Sequence, residues 1–173
     1  MEHEVEYAAF VAERWSSLVR AAVFLGAASH EAEDVAQATL LLCYRKWDRV
    51  RAADDREAYV YRMLLNVLRS DRRSAWWRHR SRHPVSEALP DAAVADAAEA
   101  TALADAVHRA MLSLSKEQRE VVVLRYFVQL SEAQTAAALG IRPGTVKSRL
   151  SRSLARLSVD QHLVDLDLTG GTT

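Results

Sequence analysis

The chain has 173 residues, half of them apolar and 27% charged, with 23 basic and 23 acidic side chains. That is enough for one domain or two small ones at roughly 150 residues each, and too apolar for wholesale disorder. The single cysteine, Cys43, permits no internal disulfide and so excludes a disulfide-stapled secreted fold. The balanced charge hides a partition: residues 1–57, 58–83, 84–105, 106–157 and 158–173 carry −4, +6, −5, +6 and −3. Two basic blocks set among acidic ones predict two contacts with one polyanion.

With five glycines, three prolines and no sustained apolar–polar alternation, the pattern predicts an all-α chain. The N-terminal MEHEVEYAAF lacks a basic-then-apolar signal pattern, and the longest apolar run, residues 21–28, is far short of the roughly 18 residues that span a bilayer. The expectation is a cytoplasmic protein without membrane insertion.

Three helices are predicted in the N-terminal half, at about residues 5–25, 31–50 and 56–77. Ser29 with Glu31 and Glu33 marks the second start by capping and the helix dipole. On that helix Val35, Thr39 and Leu42 share a core face, while Asp34, Gln37, Leu41 and Arg45 form another, with an exposed leucine ringed by polar groups as at a protein docking surface. His30 beside Glu31 and Glu33 lacks the second histidine of a zinc-protease helix, and Cys43 lies in an apolar segment as a small buried thiol. No metal, cofactor or catalytic constellation is expected, and hence no enzyme.

After a polar loop at 51–56, the third helix turns Val60, Leu64 and Val67 inward and gathers Arg62, Asn66, Arg69 and Arg73 on the opposite side. Arginine offers a fixed fork to phosphate, asparagine can pair with a base edge, and Tyr59, Tyr61, Trp76 and Trp77 could stack on an unpaired base. Residues 84–105, with two prolines, small residues and acids, predict a flexible acidic linker with at most a nascent helix. The expected organisation is therefore two small helical domains, 1–83 and 106–158, joined by 84–105 and followed by an acidic tail, 159–173.

In the C-terminal half Ser115 with Gln118, and Ser131 with Gln134, have capping-box spacing. Pro143 suits a first helical turn, and Gly140 supplies the left-handed residue that ends the helix before it. Residues 130–157 thus predict a helix-turn-helix, with a small Ala136 where the helices meet, Gly140 at the turn and Val146 plugging the second helix onto the first. Val146, Leu150, Ser153, Leu154 and Leu157 form its inner face. Thr145, Lys147, Ser148, Ser151 and Arg152 spread over the outer one, flanked by Arg149 and Arg156, where a recognition helix meets a major groove.

Taken together, AEDVAQATLLLCYRKWDRV at 32–50, AYVYRMLLNVLRSDRR at 58–73 and the helix-turn-helix segment 112–157 resemble regions 2.2, 2.3–2.4 and 4 of extracytoplasmic-function (ECF, group 4) RNA polymerase sigma factors, particularly the actinobacterial SigE type. The resemblance implies a sigma region 2 bundle and a sigma region 4 helix-turn-helix. It implies that Asp34, Gln37, Leu41 and Arg45 meet the β′ clamp helices of core polymerase, and that residues 116–127 approach the β flap. It also implies minus-10 contacts from Asp54, Arg62, Asn66, Arg69 and Arg73, with a non-template base flipped out, and minus-35 contacts from Arg142, Thr145, Lys147, Ser148, Arg149, Ser151 and Arg152. An anti-sigma factor is a further expected partner. Glu132-Ala133-Gln134-Thr135-Ala136 and Arg142-Pro143 depart from the commoner family pattern, so the promoter sequence does not transfer. The alternative is a conventional helix-turn-helix regulator that binds operator DNA as a dimer.

Overall fold

The computed structural model describes residues 2–78, 97–160 and 163, without the side chains of residues 2, 71–78 and 97–102. Among the described residues every regular element is helical: α1 (Glu2–Phe24), α2 (Ser29–Arg45), α3 (Trp47–Arg51), α4 (Arg56–Arg78), α5 (Ala97–Ser113), α6 (Lys116–Val122), α7 (Glu132–Leu139) and α8 (Pro143–Leu157). Residues 79–96 and most of the tail, on which the linker and tail expectations fall, lie outside the described residues. α5 begins inside the segment assigned to the linker.

In the N-terminal half α1, α2 and α4 form a bundle around Leu18, Ala22, Ala32, Ala36, Cys43 and Leu64, all fully buried. Their spacing is the helical apolar repeat that the sequence shows. Two local expectations need correction. The helix expected at 31–50 breaks at Lys46 (φ −121°, ψ 27°), because Trp47 turns into an aromatic group with Tyr7 and Phe10, at centroid distances of 5.3 and 5.1 Å. The cap of α2 is also not Ser29, which falls inside the first turn. Ala28 is the N-cap residue, and its N–H donates to the Glu31 carboxylate at 3.2 Å.

In the C-terminal half both serine–glutamine pairs form reciprocal caps. The Gln118 and Gln134 N–H groups donate to Ser115 and Ser131 Oγ at 3.3 and 3.1 Å, and the glutamine side chains accept from the serine N–H groups at 3.1 and 2.8 Å. Arg119 closes the end of α5 by donating to the carbonyls of Met111, Leu112 and Leu114, where the helix runs out of N–H donors; the Met111 oxygen also accepts from Leu114 N–H at 3.3 Å. α6 continues into a π-helical turn, Val123–Phe127, and Gln129 leaves it with φ 63°.

The two halves share one apolar core. Leu65 and Leu68 of α4 and Leu25 after α1 are buried in one cluster with Met111, Leu114, Val122 and Leu130. Phe24 stacks on Phe127 at 4.0 Å between centroids.

Candidate nucleic-acid interface

The helix-turn-helix forms as its residue types require. Gly140 takes the left-handed conformation (φ 68°, ψ 36°) and donates to the Ala136 carbonyl, which Ile141 N–H also reaches at 3.1 Å. A side chain with a β-carbon pays for that conformation. Ala136 and Val146 are buried against Val121 of α6, with Leu139, Ile141 and Leu150 around them. A third contact therefore sets the angle between α7 and α8: α6 lies beneath both. Pro143 occupies the first turn of α8.

This packing turns one face of α8 outward. Arg142, Lys147, Ser148, Ser151 and Arg152 are exposed, and Thr145 and Arg149 half-buried. Arg149 lies close enough to Glu117 to help lower its carboxyl pKa, though hydrogen bonds from the Glu117 backbone and Ser115 contribute more. Arg152 Nε donates to the Ser148 carbonyl at 3.2 Å, which lays its stem along the helix and leaves its remaining donors toward solvent. On the inner face Val146 and Ser153 are buried and Leu150 and Leu157 half-buried, but Leu154 is 38% exposed.

The α4 stripe is only partly free. Arg62 and Asn66 are exposed and Asp54 is exposed in the preceding loop, whereas Arg69 is half-buried and donates to the Glu120 carboxylate of α6 at 3.2 Å. The side chain of Arg73, with those of Trp76 and Trp77, lies outside the described residues. Tyr61 is 2% exposed, so its ring is a core element and not a stacking platform in this structure; Tyr59 is half-buried. The helix buries more than Val60, Leu64 and Val67, because Leu65 and Leu68 face the C-terminal half.

The third surface is on α2. Asp34, Gln37, Leu41 and Arg45 are all exposed, Leu41 at 50%, on a helix whose other face carries Val35, Ala36, Thr39 and Leu40 into the core. Tyr44, 53% exposed, extends this surface and was not singled out from the sequence; its i+3 spacing from Leu41 was the signal. Cys43, on the core side, has its thiol pushed up to about 11 by burial and lies 3.6 Å from Met63 Sδ. It is an inert core residue. Among the described residues no group of histidine, cysteine and carboxylate side chains could hold a metal, and no helix is long and apolar enough to cross a membrane.

Comparison with known proteins finds a match in each half. Residues 11–78 match the model of sigma-70 region 2, and residues 104–157 that of sigma-70, region 4. The chain is 38% identical over 164 residues to the RNA polymerase sigma-E factor of Streptomyces avermitilis, covering 94% of this chain and 89% of that protein. It is 32% identical over 149 residues to the ECF RNA polymerase sigma factor SigL of Mycobacterium tuberculosis, covering 84% and 82%. Among solved structures it resembles the sigma factor RpoE of Bartonella quintana, in complex with the anti-sigma factor NepR, with a TM-score of 0.74 and 25% identity over 90% of this chain and 99% of that one. CnrH, in complex with the cytosolic domain of CnrY, shares the fold, with a TM-score of 0.67 at 24% identity over 95% and 90%. With both regions matched in order and relatives aligned over most of their length, the chain belongs to the sigma-70 family of RNA polymerase sigma factors, in its extracytoplasmic-function branch.

Proposed function

We propose that this sigma factor binds core RNA polymerase through the exposed α2 face and directs promoter-specific initiation by reading the minus-35 element with α8 and the minus-10 element with α4 and the loop before it. The observation that carries this reading is the pair of family matches, one on each half, together with the outward polar face of α8. Asp34, Gln37, Leu41 and Arg45, joined by Tyr44, are the groups proposed to meet the β′ clamp helices. An apolar centre within a polar rim is the anatomy of a protein interface.

On α8, Lys147 and Arg152 are proposed for base edges or phosphates, Ser148, Arg149 and Ser151 for flanking contacts, and Arg142 and Thr145 for phosphate. For minus-10, Asp54, Arg62, Asn66, Arg69 and Arg73 are proposed to hold the strand from which a base is flipped, a step that costs a few kcal/mol of stacking and pairing. The protein works by binding, with no catalytic step of its own, in the cytoplasm where the polymerase operates. The domain assignment is 1–83 for core binding and minus-10, 106–158 for minus-35, and 84–105 as an acidic strap between them.

An anti-sigma factor is the proposed regulator, in line with the similar RpoE, which was solved with one. A dimeric operator-binding regulator is not favoured, because the sigma-70 match runs through both halves. The test is run-off transcription of genomic DNA by purified chain and core polymerase, with the transcripts sequenced. Starts that share minus-35 and minus-10 elements are expected, and starts no more specific than those of core enzyme alone would reject the reading.

A further inference from the structure

We propose that the first turns of α1 position the loop before α4: Glu6 and uncharged His3 hold Arg51, and minus-10 selectivity falls when His3 takes up a proton; this rests on the assignment of that loop to minus-10. His3 and Glu6 are three apart on α1, and Asp48 and Arg51 three apart on α3, so each pair shares a helix face. The two faces interlock. Arg51 Nη1 donates to His3 Nε2 at 2.7 Å, Arg51 Nε lies 3.3 Å from Glu6 Oε2, and the same His3 Nε2 stands 3.6 Å from Asp48 Oδ1. Further along α1, Tyr7 and Phe10 pack on Trp47 at the start of α3, which fixes how the two helices meet.

The loop 52–55 is held at both ends. At the far end Asp55 Oδ1 accepts from Ala58 N–H at 3.0 Å, and the Arg56 guanidinium lies 5.9 Å from the centre of the Trp47 ring. At the near end Ala52 N–H donates to the Asp48 carbonyl at 3.0 Å, and the Arg51 side chain ties that last turn of α3 to α1. Asp54, exposed between these anchors, is proposed to contact minus-10. In so short a loop its carboxylate moves when an end moves. His3 and Glu6 therefore act through Arg51, as positioning residues without a contact to DNA of their own.

A guanidinium has no acceptor, so the contact with Arg51 requires a lone pair on His3 Nε2, hence a neutral ring carrying its proton on Nδ1. A proton added at Nε2 removes that lone pair and sets two cations against each other. The imidazolium then donates to the Asp48 carboxylate instead. The charged groups around His3 are Glu4 and Glu6 on its own helix, Arg45, Lys46 and Arg49 across the adjoining cleft, and Asp48 and Arg51. Glu6 keeps its hold on Arg51 in either state, so protonation loosens the anchor without dissolving it.

The test uses full chain on core polymerase at a promoter found by run-off. Transcription is compared with that from a copy with one minus-10 base changed and from a copy with one minus-35 base changed, giving two selectivity ratios. His3→Ala combined with Glu6→Ala should lower the minus-10 ratio about two- to fivefold, the scale that half-exposed charged contacts allow, and leave the minus-35 ratio unchanged. Acidification from about pH 8 to about pH 6, where imidazoles titrate, should lower the minus-10 ratio of the unsubstituted chain. His3→Gln, whose amide oxygen accepts from Arg51 and does not titrate, should keep the ratio of the unsubstituted chain at the higher pH and hold it at the lower. An unchanged minus-10 ratio in the double variant, or an equal fall of both ratios, overturns the positioning. No fall on acidification, or the same fall in His3→Gln, overturns the role of the proton. Asp54→Ala checks the underlying assignment separately: an unchanged minus-10 ratio there faults the placing of the loop at minus-10, and the proposal with it.

Discussion

His108 lies on α5 with its ring 6.3 Å from Phe24 of α1, and its Nδ1 is buried without a partner. Burial first, and the nearby Arg119 second, push its pKa below 6.5, against an opposing pull from Asp105. A histidine with a depressed folded pKa costs nothing well above its unfolded pKa, but the folded state loses stability as pH falls from the unfolded value toward the lower folded one, because only the unfolded chain takes up the proton there. Melting temperature should therefore drop as pH is lowered below 6.5, and His108→Leu should lessen that drop relative to the unsubstituted chain; identical profiles would show that His108 is not desolvated. Thr135 is another residue whose environment contradicts its chemistry. It is fully buried with Oγ1 unpartnered, a cost of about 1–3 kcal/mol. Thr135→Val, which keeps the shape, should raise the melting temperature by about 2–4 °C, measured by calorimetry. Neither environment was legible in the sequence, because each is made by elements distant along the chain. The inert character of Cys43 was legible, since its neighbours on the same helix already mark an apolar face.

At the scale of elements, the sequence was most informative where the determinants are local. Ser115, Ser131, Gly140 and Pro143 act through their own backbone and the next turn, and each starts or ends a helix as expected. The break at Lys46 answers instead to Trp47 packing on Phe10 and Tyr7, a contact across almost 40 residues that no local pattern announces. The width of the buried face of α4 was hidden for a similar reason: Leu65 and Leu68 fall beside the core stripe and become core because region 4 covers them. Among the candidate sites, the α8 face could be read from spacing alone, and Asp34, Gln37 and Leu41 needed the family resemblance to acquire a partner. Within the helix-turn-helix, Ala136 has no room for a larger side chain against Val121 and Val146. Ala136→Leu should cost about 1–3 kcal/mol and tilt α8, so that urea denaturation shows the loss and minus-35 binding weakens with it; unchanged stability would mean that the three-way contact is loose.

For the whole molecule, three surfaces are disposed differently toward solvent: α8 and α2 outward, α4 partly covered. The alternating charge blocks fit that arrangement, because an acidic residue within a basic block, Glu120, is what meets Arg69. Asp34→Ala combined with Gln37→Ala should weaken capture by core polymerase while changing stability by no more than about 0.5 kcal/mol, since both side chains are exposed. Pull-down alongside thermal melting separates the two effects. On the proposed function, the chain selects DNA only as part of a larger enzyme. Footprinting on a promoter found by run-off, with strand opening read by single-strand-specific oxidation of thymines, tests this most directly. Chain and core together should protect both elements and open the minus-10 region, while chain alone gives neither. A stable footprint by chain alone on a palindromic site would contradict it.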